Sequence, residues 1–317
     1  MTEVSALNNK MVSVVIPVFN SEKTLVELTT RLKNELPKIS SDYEIILVDD
    51  CSLDKSWRIL QQIHADDRRI KIIHLQKNFG QHNATLCGLN YAKGDYIITM
   101  DDDLQHPPEE IHKLVEKIQE GYFVVYGQFT IKQHSLLQNF LSARFQFLIH
   151  YIFDVPKNLR FTGFVIYTSD VVKNMISIKT SYVYLHALAI KSAPIAKITN
   201  VAVKHDSRKV GKSNYNLRTY FSHSLKLIIN HSTLPLTFLG VFGLLMSIGS
   251  FCIGIYIIGN YLMGHTSSVM GWDSTMVTIT FIGGMILLSI SIIGDYLNRI
   301  LTEVSYGQQY LIGEMEL

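Results

Sequence analysis

Between Leu227 and Trp272 the chain carries no Asp, Glu, Lys or Arg. Within this stretch Leu236 to Met263 is almost wholly apolar, and a second apolar run extends from Ser274 to Gly294. Each is long enough for the roughly 20 residues that cross a bilayer as a helix. Gly240, Gly243, Gly249 and the pair Gly283-Gly284 suit close helix contact in lipid. Two buried helices of a soluble protein would be the alternative, but two such runs in tandem are rare outside membranes. The linker Gly264 to Asp273 has no Lys or Arg. Lys204, Arg208, Lys209, Lys212, Arg218 and Lys226 precede the first run, and Arg299 follows the second. Basic residues stay on the cytoplasmic side. The expectation is a multi-pass hairpin with spans at about 235–263 and 274–297, and with residues 1–215 and the tail 300–317 both cytoplasmic.

The segment 216–231 reads as an interfacial helix. Leu217, Phe221, Leu225 and Ile228 share one face, while Arg218, Ser222 and Lys226 share another. Ser135 to Phe153 has a similar pattern and fits a core-facing helix as well as a membrane-touching one. Charged residues are 18% of the chain and hydrophobic ones 47%, an imbalance that sits mostly in the C-terminal runs. A net charge of +2 gives no reason to expect a nucleic-acid partner. Cys51, Cys87 and Cys252 stand far apart, which argues against a disulfide framework or a zinc site. The N-terminal apolar run, Met11 to Phe19, is short and interrupted by Pro17, unlike a secretory leader.

Residues 1–215 alternate between short β-branched runs and helical patterns. Strands are expected at Val12–Ile16 (ended by Pro17), Glu44–Val48, Ile70–Leu75, Tyr96–Met100 and Phe123–Tyr126. Helices are expected through Leu25, Leu28 and Leu32, near Trp57–Ile63, over His82–Tyr91 and over Pro108–Gln119. This alternation predicts an α/β domain, a parallel sheet covered by helices on both faces. Ligands of such sheets bind beyond the carboxyl ends of the strands. No GxGxxG follows the first strand, and Gly211-Lys212-Ser213 lacks the upstream glycine of a P-loop.

Three carboxylates, Asp101-Asp102-Asp103, directly follow the fourth expected strand. Adjacent carboxylates repel one another, so a cation or solvent must offset them. Residues i and i+2 can converge on one ion, which makes Asp101 and Asp103 the natural pair for a hard cation, Mg²⁺ or Mn²⁺. Taken alone the triplet also fits a solvated acidic turn. Pro108 with Glu109 and Glu110 marks a helix start soon after. Asp49-Asp50 ends the second strand, with Ser52 and Asp54 placed to cap the next helix. Pro17-Val18-Phe19-Asn20 ends the first.

In this order these segments resemble glycosyltransferase family 2. They are Val14 to Asn20, Asp49 to Asp54, Asn78 to Ala84, Gly94-Asp95 and Asp101 to Glu109. His205 to Tyr215, which reads HDSRKVGKSNY, then resembles the RxxGxSxY segment of the polyprenyl-phosphate branch. The likeness covers nearly the whole chain. It implies a GT-A (nucleotide-diphospho-sugar transferase) Rossmann-like fold before the membrane hairpin. It also implies a nucleotide-sugar donor, a polyprenyl (undecaprenyl) phosphate acceptor at the inner membrane and a divalent metal. By position, Pro17, Phe19, Glu22 and Asp49 would hold the nucleotide's base and ribose, with Asp102 against the nucleotide. Asp101, Asp103 and Gln105 would hold the metal, and Arg208, Lys212 and Ser213 would bind phosphate. Asp101, Asp103 and Arg208 would be the catalytic residues.

Two places depart from the pattern. Leu159-Arg160-Phe161-Thr162-Gly163-Phe164-Val165 lacks the acid that many relatives place before the Thr-Gly pair and the Arg after it. Asn214 stands where relatives often carry Lys. A processive polysaccharide synthase would also have spans, but would be expected to carry QxxRW, and neither Trp57 nor Trp272 follows an Arg. A non-catalytic membrane partner that keeps the fold remains an alternative. The sequence leaves open the sugar, the nucleotide and whether the chain forms a homo-oligomer.

Overall fold

A computed structural model describes residue 7, residues 10–129, most of 155–204, positions scattered between 237 and 263, residues 272–304 and residues 309–317. The chain divides into two compact units. One comprises Met1–Asn214 with Tyr306–Leu317, and the other comprises Tyr215–Ser305.

The first unit is built on an eight-stranded sheet of order β7-β5-β6-β4-β1-β2-β3-β8. Its strands are β1 Val12–Val18, β2 Tyr43–Asp49, β3 Ile70–Leu75, β4 Tyr96–Thr99, β5 Val124–Phe129, β6 Val165–Thr168, β7 Ile198–Val203 and β8 Ile312–Glu316. The helices are α1 Leu25–Ile39, α2 Ser56–Asp66, α3 Gln81–Tyr91, α4 Ile111–Gln119, α5 Ser169–Ser177 and α6 Leu185–Ser192. Strands β1 and β2 are buried at every position, as expected of parallel strands covered on both faces. On one face α1, α2 and α4 bury Leu28, Leu32, Leu60 and Leu114 against Ile16, Leu47 and Ile98. On the other, α3, α5 and α6 bury Leu86, Met175 and Leu188 against Val15, Val48 and Tyr126. Gly88 of α3 lies so close to Val15 that a Cβ there would clash, which brings α3 tightly onto the sheet.

Three features differ from the expectations. First, the sheet is mixed: β6 runs antiparallel to β4 and β5, and β8 antiparallel to β3. Second, Pro17 lies within β1 and does not end it. Pairing with β4 stops at Val15↔Thr99, whereas pairing with β2 continues to Val18↔Asp49. Val15 O accepts from β4's side and Val18 O from β2's side. The donor that Pro17 lacks would therefore point where no partner strand remains. Third, the tail returns to the sheet. Gln76 N–H donates to Leu311 O at 2.9 Å, and β8 covers the open edge of β3.

In the second unit, α7 (Trp272–Val304) runs 33 residues and contains the apolar window Phe281–Asn298, with a mean hydropathy of 1.5. Among the described residues it is one helix long and apolar enough to cross a membrane. Residues 237–243 are also helical. Most of the first expected span lies outside the described residues, as do the segments 135–153 and 216–231.

Candidate active site

The loops that follow β1, β2 and β4 emerge side by side at the carboxyl end of the sheet. Each contains a non-glycine residue in the left-handed region: Asn20 (φ 54°), Cys51 (φ 60°) and Leu104 (φ 62°). A left-handed Leu is costly and persists only where its surroundings over-determine it. Leu104 is 1% exposed, held in the core below the acidic turn.

Side chains tie these loops into a continuous rim. Asp102 accepts a hydrogen bond from Phe19 N–H at 3.2 Å and another from Ser21 Oγ, joining the β4 loop to the β1 loop. Asn20 N–H donates to Ser52 Oγ at 2.9 Å and Leu53 N–H donates to Asn20 Oδ1 at 2.8 Å, joining β1 to β2. Glu22 and Asp54 exchange contacts across the same junction. Glu22 N–H donates to Asp54 Oδ2, and Glu22 Oε2 accepts from Lys55 N–H. Asp54 Oδ1 also takes Ser56 N–H at the start of α2. Burial alone would raise Asp54, but the donors from Ser56 and Glu22 outweigh it and hold its carboxyl below the usual value. Asp50 accepts Phe79 N–H at 2.7 Å and Gly80 N–H at 2.8 Å, which fixes the β3–α3 loop. Burial still leaves Asp50 above the usual carboxylate range, and Asp49 adds to the rise.

The acidic turn sits at the centre of the rim. Asp101 Oδ1 accepts from Gln81 Nε2 at 2.6 Å, and Asp101 N–H donates to His106 Nδ1 at 3.1 Å. His106 stacks on Phe164 at 5.4 Å and is 4% exposed. Because its Nδ1 accepts that N–H, the ring proton belongs on Nε2. The 3.7 Å approach of Nδ1 to Asp101 Oδ2 is therefore not a charged pair. Gly163 closes the turn from below: a Cβ there would lie 2.8 Å from Asp101 Oδ1. Thr99 Oγ1 donates to Gly163 O at 3.0 Å. Asp103 Oδ1 accepts Gln105 N–H at 3.1 Å. Desolvation, reinforced by the flanking Asp101 and Asp103, pushes Asp102 up to about 7 against the opposing Ser21 and Phe19 donors.

The structure thus brings Asp101, Asp102, Asp103, Gln105, Phe19 and Glu22 to one rim. Phe19 is 45% exposed at this rim. Asp49 lies deeper and is fully buried. Its Oδ2 accepts Ser52 N–H and faces His74 Nδ1 at 2.7 Å, while its Oδ1 has no partner. Pro17 is buried one residue inside the end of β1. Arg208, Lys212 and Ser213 lie outside the described residues. Among the described residues no three His, Cys, Asp or Glu side chains form a metal cluster. Asp101 and Asp103 therefore offer two carboxylates. That set fits a Mg²⁺- or Mn²⁺-like ion that takes its other ligands from diphosphate oxygens and water.

The family model for glycosyl transferase family 2 matches residues 13–174, the segment that carries this rim. The chain belongs to glycosyltransferase family 2. It is 32% identical over 307 residues to the undecaprenyl-phosphate 4-deoxy-4-formamido-L-arabinose transferase of Edwardsiella ictaluri (strain 93-146), a match spanning 96% of this chain and 93% of the relative. It is 31% identical over 301 residues to the uncharacterized glycosyltransferase YkcC of Bacillus subtilis (strain 168), across 95% and 92% of the two chains. Among solved structures, glucosyl-3-phosphoglycerate synthase from Mycobacterium tuberculosis in complex with Mn²⁺, uridine-diphosphate-glucose and phosphoglyceric acid shares the fold. The TM-score is 0.51 at 16% identity, covering 70% of this chain and 78% of that one. This glycosyltransferase therefore has the GT-A fold that the family resemblance implied.

Gln81 and Gly163 were not among the residues singled out for chemistry. Gln81 falls within the quoted segment Asn78 to Ala84, and Gly163 within the departing segment Leu159 to Val165. Gly163 reaches Asp101 through the antiparallel pairing of β6 with β4, and Gln81 reaches it from the start of α3 packed on β1, neither of which a local pattern announces.

Proposed function

We propose that the protein transfers one sugar from a nucleotide-sugar to a polyprenyl phosphate at the cytoplasmic face of the inner membrane, with inversion at the sugar carbon. The observation that carries this reading is the pair Asp101 and Asp103 at the tip of β4, in a chain that matches an undecaprenyl-phosphate sugar transferase over nearly its whole length. A bound divalent cation would neutralise charge developing on the departing diphosphate. Asp101 and Asp103 would hold that ion, with Gln105 beside them. Gln81 and Gly163 fix the orientation of Asp101. Phe19, Pro17, Glu22 and Asp49 form the nucleotide side of the site, and Asp102 couples it to the acidic turn. Arg208, Lys212 and Ser213 neutralise phosphate.

The acceptor phosphate is already an anion near neutral pH, so its oxygen needs no strong general base. That oxygen attacks the anomeric carbon. The bond from this carbon to the diphosphate breaks, and its electron pair leaves with the nucleoside diphosphate. A single displacement of this kind inverts the anomeric centre.

Membrane anchoring is supported by chain connectivity. The chain leaves the sheet-bearing unit after Asn214 and returns to it from Tyr306, ahead of β8, which pairs with β3. That connectivity supports an even number of crossings, with both junctions on one side of the bilayer. In this reading α7 would supply one crossing and the run 235–263 the other. Anchoring turns acceptor encounter into a positioning problem confined to the surface.

The test incubates detergent-solubilised full-length protein with labelled nucleotide-sugars, polyprenyl phosphate and Mg²⁺ or Mn²⁺. A lipid bearing one sugar, with the anomeric configuration opposite to the donor's, is expected. A polymer would favour a processive synthase, and no labelled lipid with any donor would contradict transfer.

A further inference from the structure

Next to the acidic turn, five rings gather: His82 from the first turn of α3, Tyr126 from β5, Phe161, Tyr184 and His186 from α6. His186 is the hub, with ring centroids 5.2 Å from Tyr184, 5.3 Å from Phe161, 5.5 Å from Tyr126 and 6.1 Å from His82. His82, Phe161, Tyr184 and His186 are half-buried residues, while Tyr126 is fully buried. They form an aromatic wall with polar atoms enclosed within it.

Those polar atoms are unsatisfied. Tyr126 Oη and His186 Nδ1 are enclosed and have no hydrogen-bond partner. Buried polar groups nearly always find one, and leaving one without costs free energy. Burial and the neighbouring His82 push His186 down to about 3, so its ring is neutral at any working pH. It can exchange hydrogen bonds but brings no charge. Neutral phenol and imidazole groups among aromatic faces suit a polyhydroxylated ring better than a phosphate.

The wall is fixed to the acidic turn at two points. His82 follows Gln81, whose amide bonds Asp101. Phe161 lies two residues before Gly163, whose Cα faces the same carboxylate. A diphosphate held at Asp101 and Asp103 has its sugar attached directly to it, so the sugar must lie in this neighbourhood.

From this placement we infer that Tyr126 and His186, framed by His82, Phe161 and Tyr184, form the subsite that reads the donor's sugar ring through its hydroxyl or amide groups. The inference rests on the donor reading above and adds what the Leu159–Val165 departure means. Phe161, directly before Thr162-Gly163, puts an aromatic ring against His186 in that segment. Side-chain rotation at the half-buried rings, common on binding, would open Tyr126 Oη and His186 Nδ1 to the sugar.

The test uses full-length protein in detergent with Mn²⁺ and measures affinity by calorimetry. The probes are UDP and GDP, and beside them UDP-glucose, UDP-galactose, UDP-N-acetylglucosamine and GDP-mannose. Tyr126→Phe and His186→Phe are each expected to weaken the preferred nucleotide-sugar about tenfold while leaving the matching bare diphosphate nearly unchanged. Tyr126→Phe should also leave the Tm of the free protein unchanged or higher, since it removes a hydroxyl that has no partner. Equal weakening of sugar-bearing and bare nucleotides, no weakening of either, or a lowered Tm for Tyr126→Phe would overturn the inference. If wild-type protein binds a bare diphosphate but gains nothing from any sugar, this subsite falls and the donor site stands. If it binds no nucleotide at all, the donor reading falls and takes this inference with it.

Discussion

The two ends of the parallel strands handle carboxylates in opposite ways. At the amino end, acids meet cations. Glu44 is buried against Lys71 and Ser13, Asp95 pairs with Lys10 at 3.0 Å, and Asp67 pairs with Arg69 at 2.9 Å. The hydrogen bond from Arg69 holds Asp67 down to about 2, and the Lys10 contact lowers Asp95. At the carboxyl end, Asp50 and Asp102 are held by N–H and hydroxyl donors, and burial raises both. Asp67 and Asp95 therefore add stability at one end, whereas Asp50 and Asp102 store unfavourable charge at the other. Cation-paired acids keep the fold. Acids concentrated without that compensation keep a place for an ion and an anionic ligand.

The contrast can be tested by exchanging effects between the ends. Lys71→Ala should give the largest effect on stability. It strips a cation from the nearly buried Glu44 and should cost about 3 kcal/mol by denaturant unfolding, with nucleotide affinity intact. A matching loss of nucleotide affinity in the folded variant would show that the two ends are not independent. Gly163→Ala should do the reverse. Its Cβ would press on the Asp101 carboxylate from 2.8 Å, and a displaced ligand of this kind should lower the transfer rate about 100-fold with little change in Tm. The smallest effect concerns pH. Asp67 has a folded-state pKa of about 2 against an ordinary 3.8. Its contribution is therefore present above 3.8 and is lost as pH falls toward 2. Asp67→Asn should flatten that part of the Tm-against-pH curve, and an unchanged slope would remove Asp67 from the account.

Much of the sheet was readable because parallel strands buried on both faces leave continuous β-branched runs. Ile70–Leu75 has the same limits in sequence and structure. The acidic turn was readable because three like charges after such a run need an explanation. Strand β6 was not, since four residues following an irregular segment carry no period. Strand β8 was not either: its Ile-Gly-Glu-Met-Glu sequence is mostly exposed and paired on one side, so neither burial nor β-propensity marks it. The ring cluster around His186 draws on α3, β5, α6 and the segment before β6. It exists only through tertiary packing, and each of its residues alone reads as an ordinary core aromatic or histidine.

The central claim is that Asp101 and Asp103 hold a divalent ion that makes the nucleotide leave. Asp103→Ala in full-length protein, assayed for Mn²⁺-dependent sugar transfer to polyprenyl phosphate beside its Tm, tests this most directly. We predict a rate reduced about 1000-fold or more, with Tm held or raised by the removal of a repelling carboxylate. A folded Asp103→Ala protein that turns over at the wild-type rate would contradict the account.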